Sequence, residues 1–596
     1  NMLISKSLFV DYKEFPKLAW WKQNNMPVYK KIRGLENEEQ SEQLIELWQK
    51  VEDLVWDYFL KKFWLERLDV FKDNEAKNPL DEEDEDMTLI APDYKTKRDN
   101  NLKRTIEAIK SKKPLIYQPG FLIDNLFVRW DYLKLNENWN YDLIEVKAKT
   151  HVRKEKTHQK IKNKNAWELE NKFMSDISFQ KYVINKVFAE NWLWEIENFY
   201  YAYLNWNYKK QWNIDLNKII ILDQVDIESK VLLLWENSDK EFSRKDFLLT
   251  PLVVEDIVKQ MRKELILDED AFNKIHFFSW SKYLEYFWKD RDFWTIYWKG
   301  LTSPVAVRKL HFENKTFIDE LTQEDQELFN KSDWSIWSAR QYIINYLEAK
   351  QKWDLIDNES IKLELDDIKY PICLYDYETL CVPIPFLDNT SPYQQVVVQY
   401  SLHKVYKNGD IEHFWWVLVW DWEKNVKQLK IEENTNKVGF ESEKVITWSY
   451  RDLLDEFVAD IWEDFDKTFI VWYKAFENTR NKEIAETFDD LRGKFEMINE
   501  NTYDLMDIFS KWYYYSLDFK GSNSIKYVLP ALVPEMSYDW MWVPNWLVAM
   551  NTLNQIFEWK LSSEEREKQI KNLLLYCWQD SLAMYKIYEK IKEQLD

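Results

Sequence analysis

The sequence YDYETL at 375–380 carries two acidic side chains two positions apart, Asp376 and Glu378. It lies in an apolar run that begins at Tyr370, which is typical of a buried β-strand. Side chains alternate between the two faces of a strand, so both carboxylates are expected to point to the same side. They repel each other unless a cation lies between them, and such oxygen ligands suit Mg²⁺ or Mn²⁺. An edge strand with two solvated acids would explain the same pattern without a site.

A third acid lies about two hundred residues further along, on an expected helix. The stretch at 573–591, LLLYCWQDSLAMYKIYEKI, has apolar residues at helical spacing, and it places Tyr576 and Asp580 four apart on one helical face. Between the two motifs, FIVWYKAFENTRNKEIAETF at 469–488 indicates a strand that runs into a helix and contains Glu477.

This order of motifs resembles that of the DEDD-type 3′-5′ exonucleases, a branch of the RNase H-like fold. The resemblance implies that Asp376, Glu378 and Asp580 converge on two metal ions. It also places Glu477 at the second acidic position and makes Tyr576 the residue that helps to orient the attacking water. Glu477 departs from the family pattern, since the usual residue at that position is Asp.

Two further acids follow in the sequence DLMDIF. Asp504 or Asp507 could replace the second-motif acid, or both belong to a helix start, where the helix dipole favours acidic side chains. Lys474 and Arg480 could face phosphate, but an exposed helix face explains them as well.

Several more motifs narrow the resemblance. They are SPYQQVVVQYSLH at 391–403, YKAFENTR, DLMDIF, KGSNSIKYVLPALVPEMSY at 520–538 and AMN at 549–551. In this order they resemble a bacterial family known mainly as a domain of unknown function. The resemblance implies a RecB-like nuclease module joined to this exonuclease-like one.

A second constellation lies in an expected β-hairpin made of FLIDNLFVRWDYLKL and YDLIEVKAKT. Asp131 is followed by Glu145 and Lys147, and the period of two places the latter pair on one strand face. Asp131 and Glu145 could hold a metal ion that lowers the pKa of a bound water. Lys147 could position that water or offset the charge that develops at phosphorus. The pattern matches the core of PD-(D/E)XK nucleases, and the resemblance assigns Gln180 to the glutamine motif of RecB-like nucleases.

A basic run follows this hairpin at 149–164, KTHVRKEKTHQKIKNK, with Glu155 as its one acid. Its place beside the second constellation favours phosphate contacts, whereas a solvated helix face or loop would explain the charges equally well. The candidate nucleic-acid-binding residues are Lys149, Arg153, Lys154, Lys156 and Lys160.

The composition describes a globular chain with room for more than one domain. The 596 residues are 45% hydrophobic and 31% charged, which suits two or three domains with substantial cores. No apolar run approaches the roughly 20 residues that span a bilayer, and the opening lacks a signal-peptide pattern. We therefore expect a cytoplasmic protein with no membrane partner. The net charge of −22 argues against non-specific coating of nucleic acid but is compatible with a local basic groove.

The three cysteines, Cys373, Cys381 and Cys577, are scattered and lack C-x-x-C spacing. This argues for a reducing compartment and against a thiolate zinc site or an iron–sulfur cluster. The opening SKSLFVDYKEFPKLAWW resembles the start of RecB-like nucleases of the type associated with CRISPR adaptation, many of which carry a cluster cysteine next to the proline. Phe15 precedes Pro16 here, so the resemblance implies a protein that has lost the cluster.

Glycine and tryptophan occur in unusual numbers. Average usage near 7% predicts about 42 glycines, whereas the chain has 7 glycines and 33 tryptophans. Trp139, Trp206 and Trp353 stand in expected turns, where glycine is the natural residue because it reaches positive φ. We hypothesise that many tryptophans are UGA codons that the source organism reads as glycine. The alternative is a tryptophan-rich protein that stacks on bases.

These observations predict an α/β protein with two nuclease modules. A PD-(D/E)XK-like domain of the restriction-endonuclease type is expected at 1–300, with an acidic loop at 74–87. A connecting helical segment is expected at 301–366, and an RNase H-like mixed-sheet domain of the DEDDy exonuclease type at 367–596. The predicted function is Mg²⁺- or Mn²⁺-dependent hydrolysis of phosphodiester bonds in DNA or RNA. The alternative is a nucleic-acid-binding or scaffold protein whose nuclease folds have lost turnover.

Overall fold

The chain folds into two compact units in the computed structural model. The first unit comprises Asn1–Tyr286 with Pro383–Tyr393, and the second comprises Phe287–Val382 with Gln394–Asp596. The structure describes residues 2–33, 38–63, 68–69, 92–151, 159–161, 164–193, 196–224, 230–235, 238–243, 248–276, 313, 315, 320–325, 334–418, 446–447, 449–461, 467–536, 546–557 and 560–595. The expected acidic loop at 74–87 lies outside these residues.

The first unit mixes helices and strands throughout its described residues. Its helices are α1 (Lys6–Glu14), α2 (Pro16–Asn24), α3 (Met26–Arg33), α4 (Glu38–Phe63), α5 (Pro92–Lys110), α6 (Lys164–Asn191), α7 (Leu216–Ile219), α8 (Pro251–Glu264) and α9 (Glu269–Ile275). Its strands are β1 (Ile4–Ser5), β2 (Leu68–Asp69), β3 (Leu115–Tyr117), β4 (Gly120–Ile123), β5 (Leu126–Arg129), β6 (Tyr132–Leu135), β7 (Tyr141–His151), β8 (Gln159–Ile161), β9 (Ile196–Asn205), β10 (Ile220–Gln224), β11 (Lys230–Trp235) and β12 (Ser238–Ser243).

The largest sheet of the first unit has six strands in the order β10-β9-β7-β6-β3-β2. Strands β6 and β7 form an antiparallel hairpin, with Tyr132 opposite Ile144, while β7 and β9 run parallel. The expected first strand of this hairpin, FLIDNLFVRWDYLKL, is divided into β4, β5 and β6, of which only β6 pairs with β7 among the described residues. Two smaller sheets have the orders β1-β5-β4 and β12-β11-β8. Helix α4 covers the large sheet, and its side chain Phe59 belongs to one buried cluster with Tyr132 and Ile144. This burial fixes which face of β7 is left for the polar residues.

The second unit is also a mixed α/β structure in its described residues. Its helices are α10 (Trp334–Lys352), α11 (Asn358–Leu365), α12 (Tyr450–Ile461), α13 (Lys474–Thr487), α14 (Arg492–Glu500), α15 (Asp507–Ser510), α16 (Ile525–Leu532), α17 (Trp546–Phe557) and α18 (Ser563–Leu595). Its strands are β13 (Asp354–Ile356), β14 (Ile372–Cys381), β15 (Gln395–Val405), β16 (Ile411–Leu418), β17 (Ile446–Thr447), β18 (Thr468–Val471), β19 (Thr502–Asp504) and β20 (Tyr514–Ser516).

The main sheet of the second unit has the order β17-β16-β15-β14-β18-β19. Strands β14, β15 and β16 are antiparallel neighbours, and β18 and β19 join on the other side of β14 in parallel. β14 is therefore an interior strand, which explains its nearly continuous apolar run. Helix α18 lies against β14 and β15. Its buried side chains recur at helical spacing, as the sequence predicted.

Five of the described tryptophans adopt the left-handed region of backbone space, which favours glycine. They are Trp139 (φ 65°), Trp192 (φ 56°), Trp212 (φ 51°), Trp353 (φ 73°) and Trp512 (φ 66°). Two of the three tryptophans singled out in expected turns are among them, and Trp212 lies in the same stretch as the third, Trp206. The rings of Trp139 and Trp353 are 66% and 57% exposed, so burial does not compensate for the strain. These conformations favour the hypothesis that glycine is the native residue at such positions.

None of the described helices has the length and apolar character that crossing a membrane requires.

Candidate functional site

The centre of strand β14 carries the two acids from which the second unit's site is built. Asp376 lies opposite Ser401 and Glu378 opposite Gln399 on β15, and the alternation of the strand places both carboxylates on one face. Asp376 is half-buried and Glu378 is buried. The ladder is irregular between Glu378 and Thr379, which ends the regular pairing directly after the site.

Helix α18 brings its middle turns onto this face. The Cys577 Sγ lies 3.5 Å from the Asp376 backbone oxygen and 3.7 Å from Asp376 Oδ2. One ligand atom each of Asp376, Glu378 and Cys577 lies within 4.8 Å of the others. Asp580, one helical turn after Cys577, is close enough to raise the pKa of both strand acids. The helix and strand that the sequence singled out therefore meet at one place.

Glu477 reaches the same cluster from the first turn of α13. Its side chain is buried, with the residue only 2% exposed, and its Oε2 has no hydrogen-bond partner among the described residues. Burial raises its pKa well above the ordinary value, and Asp376 and Glu378 raise it further. The extra methylene of glutamate therefore does not keep this side chain away from the strand acids.

The electrostatics of the cluster favour a bound cation. Burial raises the pKa of Asp376 and of Glu378 well above their ordinary values, and Asp580 adds to both shifts. Buried like charges raise one another's free energy in this way unless a positive charge offsets them. The neighbouring carboxylates of Asp376 and Glu378 therefore fit a divalent cation with oxygen ligands, and the buried Glu477 has one carboxylate oxygen without a partner among the described residues.

Lys526 on α16 and Cys577 on α18 belong to this site although neither was predicted there from the sequence. The charge of Lys526 lowers the pKa of Glu378, and its Nζ lies 5.5 Å from the centre of the Tyr576 ring. Burial lowers the pKa of Lys526 itself, while Asp580 and Glu378 oppose that shift. The signal was present in the motif SIKYVLP, but nothing local distinguishes this lysine from a surface residue.

Asp504 caps a helix instead of joining the cluster. Its carboxylate accepts backbone N–H bonds from Tyr473 at 3.1 Å and from Lys474 at 2.8 Å, where α13 begins. It thereby holds the turn that delivers Glu477. Asp507 lies in the first turn of α15 and pairs with the Lys511 Nζ at 3.1 Å. Asp507 thus has the helix-start role that the sequence left open, whereas Asp504 caps the start of α13, a helix that precedes it in the chain.

Lys474 and Arg480 have partners within the second unit. The Lys474 Nζ donates to the Thr502 backbone oxygen. The Arg480 guanidinium is buried, donating to Gln395 and, at 3.0 Å, to Glu483. An exposed helix face therefore does not explain Arg480.

The candidate site of the first unit is organised around Glu145 on β7. The Glu145 Oε1 accepts from the Lys147 Nζ at 2.9 Å and from the Lys6 Nζ at 2.8 Å. Lys6 also lies 4.0 Å from the Asp176 Oδ2. Glu145 and Lys147 were predicted together from the sequence, whereas Lys6 and Asp176 were not.

Asp131 lies beside Glu145 in this site, whereas Gln180 is bonded to Asp176. The Asp131 carboxylate accepts the Val146 backbone N–H, which holds it beside Glu145. Gln180 is buried on α6, and its Nε2 donates to Asp176. A cavity of about 530 Å³ opens over the site, and its acidic and basic lining includes Lys6, Glu52, Asp131, Glu145, Lys147 and Asp176. Asp176 therefore lines this cavity. Gln180 is linked to the cavity wall by its hydrogen bond to Asp176.

Two lysines compensate the acids of the first unit. Burial alone would raise the pKa of Glu145, but Lys147 and Lys6 outweigh burial and lower it to about 2. Burial raises the pKa of Asp131 well above its ordinary value, with Glu145 and Glu52 adding to the shift. Burial also raises the pKa of Glu52 to about 7. One ionised carboxylate thus stays beside two acids that favour the neutral form.

The described residues include part of the basic run. Lys149 lines the cavity of the first unit, with its Nζ 4.1 Å from the centre of the Phe173 ring. Arg153, Lys154 and Lys156 lie outside the described residues, as does the side chain of Lys160 on β8.

Comparison with known proteins identifies relatives without stating an activity. Residues 373–524 match the family described as "Domain of unknown function (DUF2779)". The chain is 27% identical over 238 residues to the uncharacterized protein UU173 of Ureaplasma parvum, covering 37% of this chain and 31% of that protein. It is 24% identical over 398 residues to the uncharacterized protein MG366 of Mycoplasma genitalium, covering 63% and 56%.

No solved structure matches the chain. The chain spans about a third of the first of these relatives and somewhat more than half of the second. The segment from β14 to the start of α16, which contains Asp376, Glu378 and Glu477, is thus similar to a bacterial domain family of unknown function.

Proposed function

We propose that the second unit is a metal-dependent 3′-5′ exonuclease that hydrolyses phosphodiester bonds of DNA or RNA. The observation that carries the proposal is the meeting of β14 and α18, where one ligand atom each of Asp376, Glu378 and Cys577 lies within 4.8 Å of the others. Asp580 on α18 and Glu477 on α13 interact electrostatically with the same two strand acids. These acids lie far apart in the sequence. Glu378 and Glu477 are buried and Asp376 and Asp580 are half-buried, so bringing these like charges together has an electrostatic cost that a bound cation would offset.

The sheet order supports the fold on which this proposal depends. An RNase H-like domain is expected to begin with three antiparallel strands and to continue with parallel strands beside the first of them. Strands β14, β15 and β16 are antiparallel neighbours, and β18 and β19 follow in parallel beside β14. The first strand of this order carries Asp376, as the DEDD pattern requires.

The residues of the cluster divide into ligands and positioning groups. Asp376, Glu378 and Asp580 would hold divalent cations, with Glu477 as the fourth acid. The cations, when bound, supply an activated water and neutralise charge on the phosphate. Tyr576, one turn before Asp580, would orient the water.

Lys526 adds a protein charge at the same place. Its ammonium acts on Glu378 and Asp580 electrostatically, and it would offset the negative charge that develops as the 3′ oxygen leaves.

We further propose that the first unit is a second nuclease site of the PD-(D/E)XK kind. Asp131 and Glu145 would hold a cation at the cavity, with Lys147 beside the reacting phosphate. Lys149 on the same wall is the described member of the basic run that could contact the nucleic-acid backbone.

The alternative is a binding or scaffold protein built on nuclease folds. It would retain the shape of the cavity and the sheet while losing turnover. Binding of nucleic acid without cleavage in the presence of divalent cations would favour this second candidate.

The test uses the full chain with end-labelled single-stranded DNA and RNA in Mg²⁺ or Mn²⁺. We expect products that shorten from the 3′ end, and we expect Asp376→Ala and Asp580→Ala each to abolish them. Asp507→Ala is the matched control, because it removes a carboxylate of the same unit that lies at a helix start. Unchanged degradation by both site variants would remove the proposal.

A further inference from the structure

Cys577 brings a thiol to the acids of the second unit's cluster. It is fully buried on α18, where it follows Tyr576 directly and precedes Asp580 by three residues. Its Sγ is directed at Asp376, contacting both the backbone oxygen and the carboxylate. The other two cysteines, Cys373 and Cys381, stand at the two ends of β14.

The distances around Cys577 suit a tetrahedral ion. With a metal–sulfur bond of about 2.3 Å and a metal–oxygen bond of about 2.1 Å, two ligand atoms of a tetrahedral Zn²⁺ site lie about 3.6 Å apart. The Cys577 Sγ and the Asp376 Oδ2 are 3.7 Å apart. A Glu378 oxygen lies within 4.8 Å of both, so a small closing movement would complete three ligands.

The donor set also discriminates between cations. Mg²⁺ takes octahedral oxygen ligands and dehydrates reluctantly, so a thiolate adds little to its binding. Zn²⁺ accepts sulfur and oxygen ligands together and prefers four of them. The Glu477 Oε2 has no hydrogen-bond partner among the described residues, and it belongs to a side chain that is 2% exposed and interacts electrostatically with Asp376 and Glu378.

We propose that Asp376, Glu378 and Cys577 form a binding site for a thiophilic divalent cation, with Zn²⁺ as the expected occupant. This inference shares two carboxylates with the proposed nuclease site and deepens it by naming a second class of cation. It departs from the expectation drawn from the scattered cysteines, because a single thiol joins carboxylates here instead of other thiols. Zn²⁺ and Mg²⁺ would then compete for the same acids.

Cd²⁺ is the probe for the first experiment, because a cadmium–thiolate bond absorbs in the ultraviolet and Cd²⁺ substitutes for Zn²⁺ at mixed sites. We expect the full chain, freed of metal with a chelator, to give this absorption with one equivalent of Cd²⁺ and to lose it when Zn²⁺ is added. Cys577→Ser should abolish the absorption, whereas Cys381→Ser should retain it. Equal absorption in wild type and Cys577→Ser, or no absorption in either, would overturn the proposal.

Zn²⁺ affinity, measured by calorimetric titration, gives a second readout that does not depend on activity. We expect Cys577→Ser and Cys577→Ala each to weaken Zn²⁺ binding by at least about tenfold. A loss of this size is typical even when a residue that only hydrogen-bonds to a metal ligand is replaced. Circular dichroism checks that each variant is folded, and the second variant keeps the test usable if the first does not fold. Unchanged Zn²⁺ affinity in a folded variant would contradict the assignment.

The two proposals fail in different ways. Cysteine-dependent Zn²⁺ binding in a chain that cleaves nothing in Mn²⁺ would support the zinc site and reject the nuclease. Mg²⁺-dependent cleavage with the same Zn²⁺ affinity in wild type and Cys577→Ser would support the nuclease and reject the zinc site.

Discussion

The two candidate sites both gather buried acids, but they balance the charge differently. In the first unit, Lys6 and Lys147 donate to one Glu145 oxygen and keep that carboxylate ionised. In the second unit, burial and mutual repulsion raise the pKa of Asp376 and Glu378. The first site therefore has two lysines bonded to one of its carboxylates, whereas at the second site Lys526 only partly offsets the acids, and we propose that a cation from solution offsets the rest.

This difference predicts opposite responses to the loss of a charge. Removing an acid from the second unit relieves repulsion in the metal-free protein. Removing a lysine from the first unit leaves buried acids without their partner, which is strongly destabilising in general.

The largest expected effect is on catalysis in the second unit. Glu378→Gln removes a cation ligand while keeping the shape of the side chain, and we expect it to lower Mn²⁺-dependent cleavage by about 10³-fold, or about 4 kcal/mol of transition-state stabilisation. Single-turnover rates on a 5′-labelled oligonucleotide measure this. Asp507→Asn is the control. A Glu378→Gln rate within about threefold of the wild-type rate would contradict the role of Glu378 as a cation ligand.

The next effect concerns the stability of the first unit. Lys6→Met keeps the length of the side chain but removes the charge that serves Glu145 and Asp176. We expect a loss of about 3 kcal/mol in the free energy of unfolding of the metal-free protein, measured by urea titration.

Lys172→Met serves as the control for Lys6→Met, because this exposed lysine lines the same cavity but pairs with Glu14. The contrary outcome is an equal, small loss in both variants, which would show that Lys6 is not needed to compensate the acids.

A smaller effect is the pH dependence of the metal-free second unit. Folded Asp376 and Glu378 have a raised pKa, so between their ordinary pKa near 4 and the raised value the folded state binds more protons than the unfolded state. Their contribution to stability is therefore present at low pH and is lost as the pH rises through the folded pKa. Each such carboxyl changes the free energy of unfolding by about 1.4 kcal/mol per pH unit within that window.

Urea titrations in chelator at pH 5, 6, 7 and 8 measure this slope. We expect stability to fall more steeply with pH in wild type than in Asp376→Asn, and saturating Mg²⁺ to reduce the difference. Parallel slopes would show that neither burial nor the neighbouring acids raise the pKa of Asp376 in the folded protein. Glu145 has the opposite sign, because its pKa is lowered to about 2 and its contribution is lost only in strong acid.

The smallest expected effects come from replacing a tryptophan at positive φ with glycine, once in each unit. Trp139 lies in the first unit and Trp353 in the second, both exposed and both at positive φ. Trp139→Gly and Trp353→Gly should each raise stability by about 1 kcal/mol, because the left-handed strain is removed. Differential scanning calorimetry should show each gain.

Trp206→Gly is the matched control for these two variants, since Trp206 is exposed but is not among the described residues with positive φ. It should instead lower stability by about 0.5 to 1 kcal/mol. Equal changes at all three positions would contradict the glycine hypothesis at Trp139 and Trp353.

The sequence predicted the features that depend on local pattern. The apolar run around Asp376 gave strand β14, the helical spacing around Tyr576 and Asp580 gave α18, and the turn at Trp139 gave the hairpin of β6 and β7. The shared face of Asp376 and Glu378 followed from strand alternation alone.

The features that the sequence missed depend on packing between distant segments. Lys6 and Glu145 are in contact although they lie 139 positions apart in the sequence. The local spacing of residues does not predict such a contact. Cys577 looked like one of three scattered thiols until α18 lay against β14. Asp504 caps a helix that precedes it in the chain, which a forward reading of helix starts cannot show.

A titration of Mn²⁺ into the metal-free full chain, followed by calorimetry, tests the central claim most directly. We predict that wild type binds Mn²⁺, that Glu378→Gln loses the binding step assigned to the second unit, and that Lys6→Met keeps that step. Identical Mn²⁺ binding by wild type and Glu378→Gln would contradict the claim that the second unit's acids are completed by a cation from solution.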